Sequence, residues 1–338
     1  MAETRFFHLS AGAMVVLPTL DEALARGRQG GFVWVDCQQP TAEVLAELAG
    51  PFDLHPLAIE DCLDASQVPK IEDFPNNVFV LANAFQYASG ELNSDEVDFF
   101  LGRNFLVTVS GREDGDRRPL SGIEKVVERE LAAASQGPAF LMHVVLDRVV
   151  DASFEAIEAI EEDLDGSEET MLAAPAVFDP TELLRTRRVL LAMRKAVFHE
   201  REVLTRICRR DSPFFDEKVI HPFRDVHDHL TRSFELIETS RDVVTSLMEI
   251  YLSLLNNQMA QTANRTNRTM RRLTFITTVF MPMTLIAGIG GMSEWSMMTG
   301  PENWKLSYPL FLGGMAVLGV LSYLALRWLE RQPPSDRS

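Results

Sequence analysis

Two stretches near the C-terminal end decide what this chain can become. From Leu273 to Ser293, and again from Leu306 to Leu326, no residue carries a charge. Each run is about 21 residues long, enough for a helix to cross the roughly 30 Å hydrocarbon layer of a bilayer. Two such runs so close together predict a pair of transmembrane helices joined by a short loop.

The basic residues orient the pair. Arg265, Arg268, Arg271 and Arg272 precede the first run, and Arg327, Arg331 and Arg337 follow the second. The loop between holds only Lys305, opposed by Glu294 and Glu302. The positive-inside rule then predicts a two-span protein of the cell inner membrane, with both termini cytoplasmic and the loop facing outward. Trp295, Trp304, Tyr308 and Trp328 fall where interfacial aromatics belong. The opening residues MAETRFFHLS lack the basic-then-apolar pattern of a secretory signal, so the N-terminal part is expected in the cytoplasm. Cys37, Cys62 and Cys208 have no CxxC spacing and read as reduced thiols.

The 338 residues average 46% hydrophobic and 24% charged, but the average conceals a charged, mixed part before about residue 272 and a nearly uncharged part after it. A net charge of −17 excludes nucleic acid as a partner, because nothing offsets repulsion from phosphates. It suits a protein that gathers cations, and equally one that is merely soluble outside the membrane. There is no GxxxxGK loop, no HExxH pair and no recognisable nucleophile context. Neither an enzyme nor a nucleotide-driven machine is expected.

The first part of the chain is β-rich. AMVVLP, FVWVDC, NVFVLANAF, VDFFLG and NFLVTVS read as strands, and TAEVLAELA as a helix capped by Thr41. Together they predict an α/β domain. From about residue 119 the chain turns helical. FLMHVVLDRVVDASFEAIEAIEEDLDG and PTELLRTRRVLLAMRKAVFHEREVLTRI form two long helices, with SEETMLAAPAVFD as a loop between them. A third begins near 214–222 and has no further proline before Pro282. Its apolar pairs at 236/237, 243/244, 247/248, 250/251 and 254/255 repeat every 3.5 residues, the period of packing against neighbouring helices. Unbroken, this stalk runs directly into the first span.

That span is poorly made for a simple anchor. Asn267, Met270, Thr274, Thr277, Met281, Thr284, Gly288 and Gly291 follow one another in steps of three and four, on one helical face, with Leu273 beside it. The opposite side carries Phe275, Ile276, Val279, Phe280, Leu285, Ile286 and Ile289. A stripe of small and hydroxylated residues fits a tight helix–helix contact. It also fits the wall of a water-filled pore, which two helices cannot enclose, so that reading demands several copies around an axis. The 3.5-period face of the stalk would supply the assembly surface. Met281 and Leu273 would then be apolar constrictions able to gate by dewetting.

Four stretches carry a family resemblance: HPLAIEDCLDASQVPKIEDF at 55–74, VDFFLGRNFLVTV at 97–109, FRDVHDHLTRSFELIETSRDVVTSLMEIYLS at 223–253 and NRTNRTMRRLTFITTVFMPMTLIAGI at 264–289. PENWKLSYP at 301–309 extends it. The chain resembles the CorA-type divalent-cation transporters, the two-span family with a Gly-Met-Asn signature, and its first span is similar to that of the ZntB-like, zinc-transporting branch. The resemblance implies a homopentameric funnel of α/β cytosolic domains, long stalk helices and two C-terminal transmembrane helices. On this chain that gives a cytosolic α/β domain at 1–118, a helical region and stalk at 119–271 and a pore-lining first span at 272–293. An outer loop at 294–306, a second span at 307–327 and a cytoplasmic tail at 328–338 complete it. It places the outer mouth at Gly291, Met292 and Ser293, with the acids Glu294 and Glu302 outside. It carries Asn267, Leu273, Thr277, Met281, Thr284 and Gly288 over as pore positions, and Met270 and Thr274 join them from the stripe. Ser293 departs from the signature, offering one hydroxyl where the family has an amide. Gly290 stands where many members have a larger residue.

The expected cargo is a divalent cation, Mg²⁺, Zn²⁺, Co²⁺ or Ni²⁺, with no other cofactor and with lipid and further copies of the chain as partners. A proton-coupled zinc importer is the alternative within the family, and a non-conducting membrane-anchored sensor or scaffold the alternative outside it. In HPFRDVHDHL, Asp225 and His229 stand one helical turn apart, the spacing of a metal pair, and are expected to hold a regulatory cation or to be a solvated stalk surface. The acidic run FEAIEAIEEDLDGSEE at 154–169 reads as a solvated helix face, or as a device that concentrates cations near the funnel.

Overall fold

The structure is a computed structural model that describes residues 3–64, 67–111, 118–291, 300 and 302–330. It divides into two compact units, residues 1–252 and 253–338.

The first unit grows from strands that are apolar almost throughout. β1 (Glu3–Ser10), β2 (Ala13–Leu17) and α1 (Leu20–Gly27) lead into β3 (Phe32–Gln38). After α2 (Ala42–Phe52) and α3 (Pro56–Leu63) come β4 (Lys70–Asp73), β5 (Asn77–Ala88), β6 (Glu91–Gly102) and β7 (Phe105–Ser110). They form one sheet in the order β2-β1-β3-β7-β6-β5-β4, in which only β3 and β7 pair in parallel. Every residue of β3 and β7 is buried, which requires cover on both faces of the sheet. α1, α2 and α3 cover one face, where Leu45, Leu48, Phe52 and Ala58 meet Val33, Val35, Phe79, Leu81 and Val107. α2 starts as its sequence dictates, with Thr41 accepting the Val44 N–H at 3.4 Å. The strand runs read from sequence are present. β1 and β4 are additional, their short or mixed patterns being completed by pairing with β3 and β5.

After α4 (Ile123–Arg129) and α5 (Leu131–Ala134), two long helices follow, α6 (Pro138–Ala173) and α7 (Thr181–Cys208). α6 lies over β5, β6 and β7, and α7 reaches β4 and β5. Residues 167–173, expected as loop, are the last turns of α6: Met171 is buried and Thr170 Oγ1 donates to the Gly166 carbonyl at 2.9 Å. Glu200 of α7 is buried against the sheet. Its Oε1 accepts the Asn83 N–H at 2.7 Å, its Oε2 has no partner, and burial pushes the carboxyl up to about 7.

α8 (Glu217–Gly290) is a single helix of 74 residues, about 110 Å long. Its first half buries Phe223, Val226, Leu230, Ser233, Ile237, Ser240, Val244 and Leu247, in alternating steps of three and four. This corrects the expectation for the 3.5-period face. Ile237, Val244 and Leu247 pack inside their own chain instead of waiting for another copy. α6 contributes His143, edge-on to Phe223 at 5.7 Å, and Glu161, which accepts from Ser240 Oγ at 3.1 Å. α7 contributes Arg194, ion-paired with Glu238. As far as Leu247 the periodicity is that of an intrachain contact with α6 and α7, which sequence cannot tell from an interchain one; the pairs at 250/251 and 254/255 are not buried by the chain.

The second unit contains the rest of α8 and α9 (Trp304–Glu330). Both are long and apolar enough to cross a membrane. α8 runs through Pro282 to Gly290, and α9 begins at 304, so the last residues of the expected 294–306 loop are already helical.

Candidate functional site

Within the second unit, among the described residues, the two helices touch on one face of α8. Phe275, Val279, Met283, Ile286 and Gly290 are partly covered, in steps of three and four. At Gly290 an added Cβ would come within 2.6 Å of the Phe311 ring, and at Gly319 one would meet Met283 Sδ at 3.3 Å. Gly290 is therefore glycine because a ring of α9 occupies the space of its side chain. A larger residue at this position requires a smaller one at 311.

The stripe lies on the other side. Asn267, Met270, Leu273, Thr274, Thr277, Met281, Thr284 and Gly288 are exposed on the single chain, and an added Cβ at Gly288 would meet nothing within 4 Å. The helix–helix contact made within one chain thus does not use the stripe. Met281, Thr284 and Gly288 line an open hollow together with Leu285 and Ile289. Those last two were expected on the opposite side. Four-residue steps from Met281 carry them round by only part of a turn, so they flank the stripe.

The threonines of the stripe are already committed as donors. Thr274 Oγ1 donates to the Met270 carbonyl at 2.9 Å, Thr277 Oγ1 to Leu273 at 3.0 Å, and Thr284 Oγ1 to Phe280 at 2.8 Å. With its proton turned back to the helix, each hydroxyl presents oxygen lone pairs outward. A row of acceptors suits a hydrated cation, whose water shell offers only hydrogens.

At the C-terminal end of α8, Gly291 forms the turn that closes the helix, its N–H bonding the Ala287 carbonyl at 3.0 Å. Met292, Ser293 and Glu294 lie outside the described residues. Glu302 is described and exposed, just before α9.

A second arrangement sits in the first unit, where α8 crosses α6. His229 lies with its Nδ1 4.0 Å from Asp147 Oδ1 and its Nε2 4.0 Å from Asp225 Oδ2. One ligand atom each from Asp147, Asp151 and His229 fall within 4.8 Å of one another. The sequence reading paired His229 with Asp225 along one helix. The structure keeps that pair at 4.0 Å on one side of the ring and adds two acids of α6, Asp147 and Asp151, on the other. Asp147 and Asp151 stand four apart in LDRVVD, a visible spacing, but which helix faced them was not readable. Asp147 Oδ1 is buried and has no hydrogen-bond partner. Burial, then repulsion from Asp151, pushes this carboxyl up to about 6. His227 turns away, toward Thr205 at 3.4 Å, and His221 is exposed.

Residues 29–328 match the family described as CorA-like Mg²⁺ transporter protein. The cobalt/magnesium transport protein CorA of Thermotoga maritima is 32% identical over 293 residues, which cover 85% of this chain and 80% of that protein. The putative metal ion transporter YfjQ of Bacillus subtilis is 33% identical over 289 residues, 84% of this chain and 85% of that one. In fold, the chain is similar to the complete structure of the CorA magnesium transporter from Methanocaldococcus jannaschii, with a TM-score of 0.73 over 98% of both chains at 20% identity.

Proposed function

The chain belongs to the CorA-like Mg²⁺ transporter family, and from that premise we propose that it conducts divalent cations along the α8 stripe, through the centre of a homopentamer. It is a membrane protein with two spans that transports divalent metal ions. The observation that supports the stripe as the pore wall is the position of α9. It covers Phe275, Val279, Met283 and Gly290 and leaves the threonine and methionine face free. Five copies would turn that face toward a common axis.

In this reading both termini are cytoplasmic, in the inner membrane, and Glu302, Glu294, Ser293 and Gly291 form the outer mouth. Magnesium gives up its water reluctantly, so the cation descends hydrated past the acceptor oxygens of Thr284, Thr277 and Thr274. Met281, Leu273 and Met270 narrow the path with apolar side chains, where dewetting closes it. Asn267 offers amide groups at the inner end. No bond is made or broken, so no catalytic residue is assigned, and the gradient supplies the drive. The names of the relatives favour magnesium and cobalt as cargo.

Asp147, Asp151 and His229 would hold a regulatory divalent cation. The unpartnered Oδ1 of Asp147 supports this, since a buried carboxylate oxygen without a donor calls for a cation. Two oxygens and one imidazole nitrogen suit Co²⁺, Ni²⁺ or Zn²⁺ better than Mg²⁺. An ion at Nδ1 leaves Nε2–H to Asp225, an outer partner that orients the ring.

The test is flux through the purified full chain in liposomes, with Mg²⁺, Co²⁺, Ni²⁺ and Zn²⁺ offered in turn, with and without a pH gradient. Uptake is expected down a cation gradient alone. Zinc uptake that requires the pH gradient would replace the channel by a proton-coupled importer, and no uptake of any ion would leave a scaffold. Met281→Asp is expected to change flux by at least about tenfold. An unchanged rate would remove Met281 from the path.

A further inference from the structure

The outward faces of α6 and α7 are ridges of opposite character. On α7, Leu184, Leu191 and Phe198 stand seven residues apart and are 40%, 43% and 47% exposed. Three large apolar side chains at heptad spacing make a seam, and a seam on a surface helix has a partner. Arg187, Arg188 and Lys195 flank it, all exposed, and none forms an ion pair among the described residues.

On α6, Glu155, Glu158, Glu162, Asp165 and Glu169 follow in steps of three, four, three and four, all exposed. Only Glu155 is paired, with Arg148 at 3.0 Å, among the described residues. Like charges one turn apart on a helix repel one another. The acidic ridge is about as long as the apolar–basic one, roughly 20 to 25 Å at the helical rise. Within one chain the two ridges do not meet: no ion pair joins the α6 acids to Arg187, Arg188 or Lys195 among the described residues.

We propose that these ridges are the two halves of a head-to-tail contact between copies, the α6 ridge of one chain docking along the α7 ridge of the next. The proposal rests on the oligomeric reading above and names a surface for it. One chain carries both halves on different helices, which is the requirement for a heterologous interface that closes into a ring. The register follows from the short connection at residues 174–180. Residues equidistant from it along α6 and α7 lie at similar heights. Rotation about an axis running along the helices preserves both height and direction. A neighbour's α6 therefore meets α7 antiparallel, with Asp165 near Arg188 and Glu158 near Lys195. The exposed pairs are individually weak and set the register, while Leu184, Leu191 and Phe198 supply the buried area.

The test is disulfide trapping in the full-length protein, in membranes, with Cys62 and Cys208 replaced by serine. Asp165→Cys combined with Arg188→Cys is expected to give, on mild oxidation, a ladder of bands from two chains upward, and each single variant none. Glu158→Lys in that background is expected to cut the yield several-fold, and Lys195→Glu added to it to restore the yield. A disulfide confined to one chain, or no disulfide, while light scattering shows the oligomer intact, overturns the α6–α7 contact and leaves the oligomeric reading standing. A single-chain mass by light scattering for the unmodified protein overturns the oligomeric reading itself.

Discussion

The two halves of α8 are one helix under two regimes. From Phe223 to Leu247 every third or fourth residue is buried by the chain's own α6 and α7. From Leu252 onward no residue of α8 is buried, although this half is the more apolar of the two. Both halves are α-helical, so the difference lies in what the side chains touch. The first half obtains its stability from packing inside one polypeptide. The second has no such packing within the chain, and an apolar helix exposed to water does not persist, which fits a membrane-spanning segment.

The contrast can be broken by truncating one side chain in each regime. Leu247 is 2% exposed and Leu252, five residues on, is 58% exposed. Leu247→Ala is expected to destabilise the first unit by about 2–5 kcal/mol, and Leu252→Ala by less than about 0.5 kcal/mol. Thermal unfolding of the detergent-solubilised protein measures both. Equal losses would mean that the two halves are not differently packed.

In the second regime, Gly290→Val places a branched side chain where the Phe311 ring lies and is expected to cost about 1–3 kcal/mol. Phe311→Ala added to it should recover most of that. No recovery would show that the glycine serves something other than the α9 contact.

Buried charge sharpens the first regime. Glu200 titrates near 7 in the folded chain, above the ordinary carboxylate range. Its raised value favours the fold fully below about pH 4.5, and that contribution is lost as pH rises through about 7. Glu200→Gln should therefore be more stable than the unmodified chain above pH 7, by about 1–3 kcal/mol, and gain nothing below about pH 4.5. Chemical denaturation at pH 4.5, 6 and 8 separates these cases. A gain independent of pH would mean that the glutamate is not the titrating group.

A smaller stability effect than at Glu200 is expected at the Asp147, Asp151 and His229 cluster. Asp147 has the same sign of shift, with a folded value of about 6. Asp147→Asn should raise the stability of the metal-free protein at pH 7.5 by about 1 kcal/mol and abolish the rise in melting temperature produced by Co²⁺. In the unmodified chain that Co²⁺ effect should fade as pH drops below about 6, because the ligand is then protonated. Persistence of the Co²⁺ effect in Asp147→Asn would remove this residue as a ligand.

Much of the fold was legible because it is written in short-range pattern. Uncharged runs of spanning length gave two transmembrane helices, and β-rich runs such as FVWVDC gave the strands of an α/β domain. The threonine–methionine stripe could be drawn from helical periodicity alone, since residues three and four apart must share a face. What faced each surface was not legible. The 3.5-residue repeat around Val244 said only that a helix packs there, and the partner proved to be the chain's own α6 and α7. His229 suggested Asp225 because they share a helix, whereas Asp147 and Asp151 reach it from about eighty residues away in sequence.

By itself, then, the sequence determined the two membrane spans and the periodic faces, because hydrophobic length and helical phase are local quantities. The tertiary structure alone decided which face meets which. Gly290 is matched to Phe311, Val244 is turned inward, and Asp147 is set against His229, because such contacts depend on packing between segments distant along the chain, where no local rule reaches.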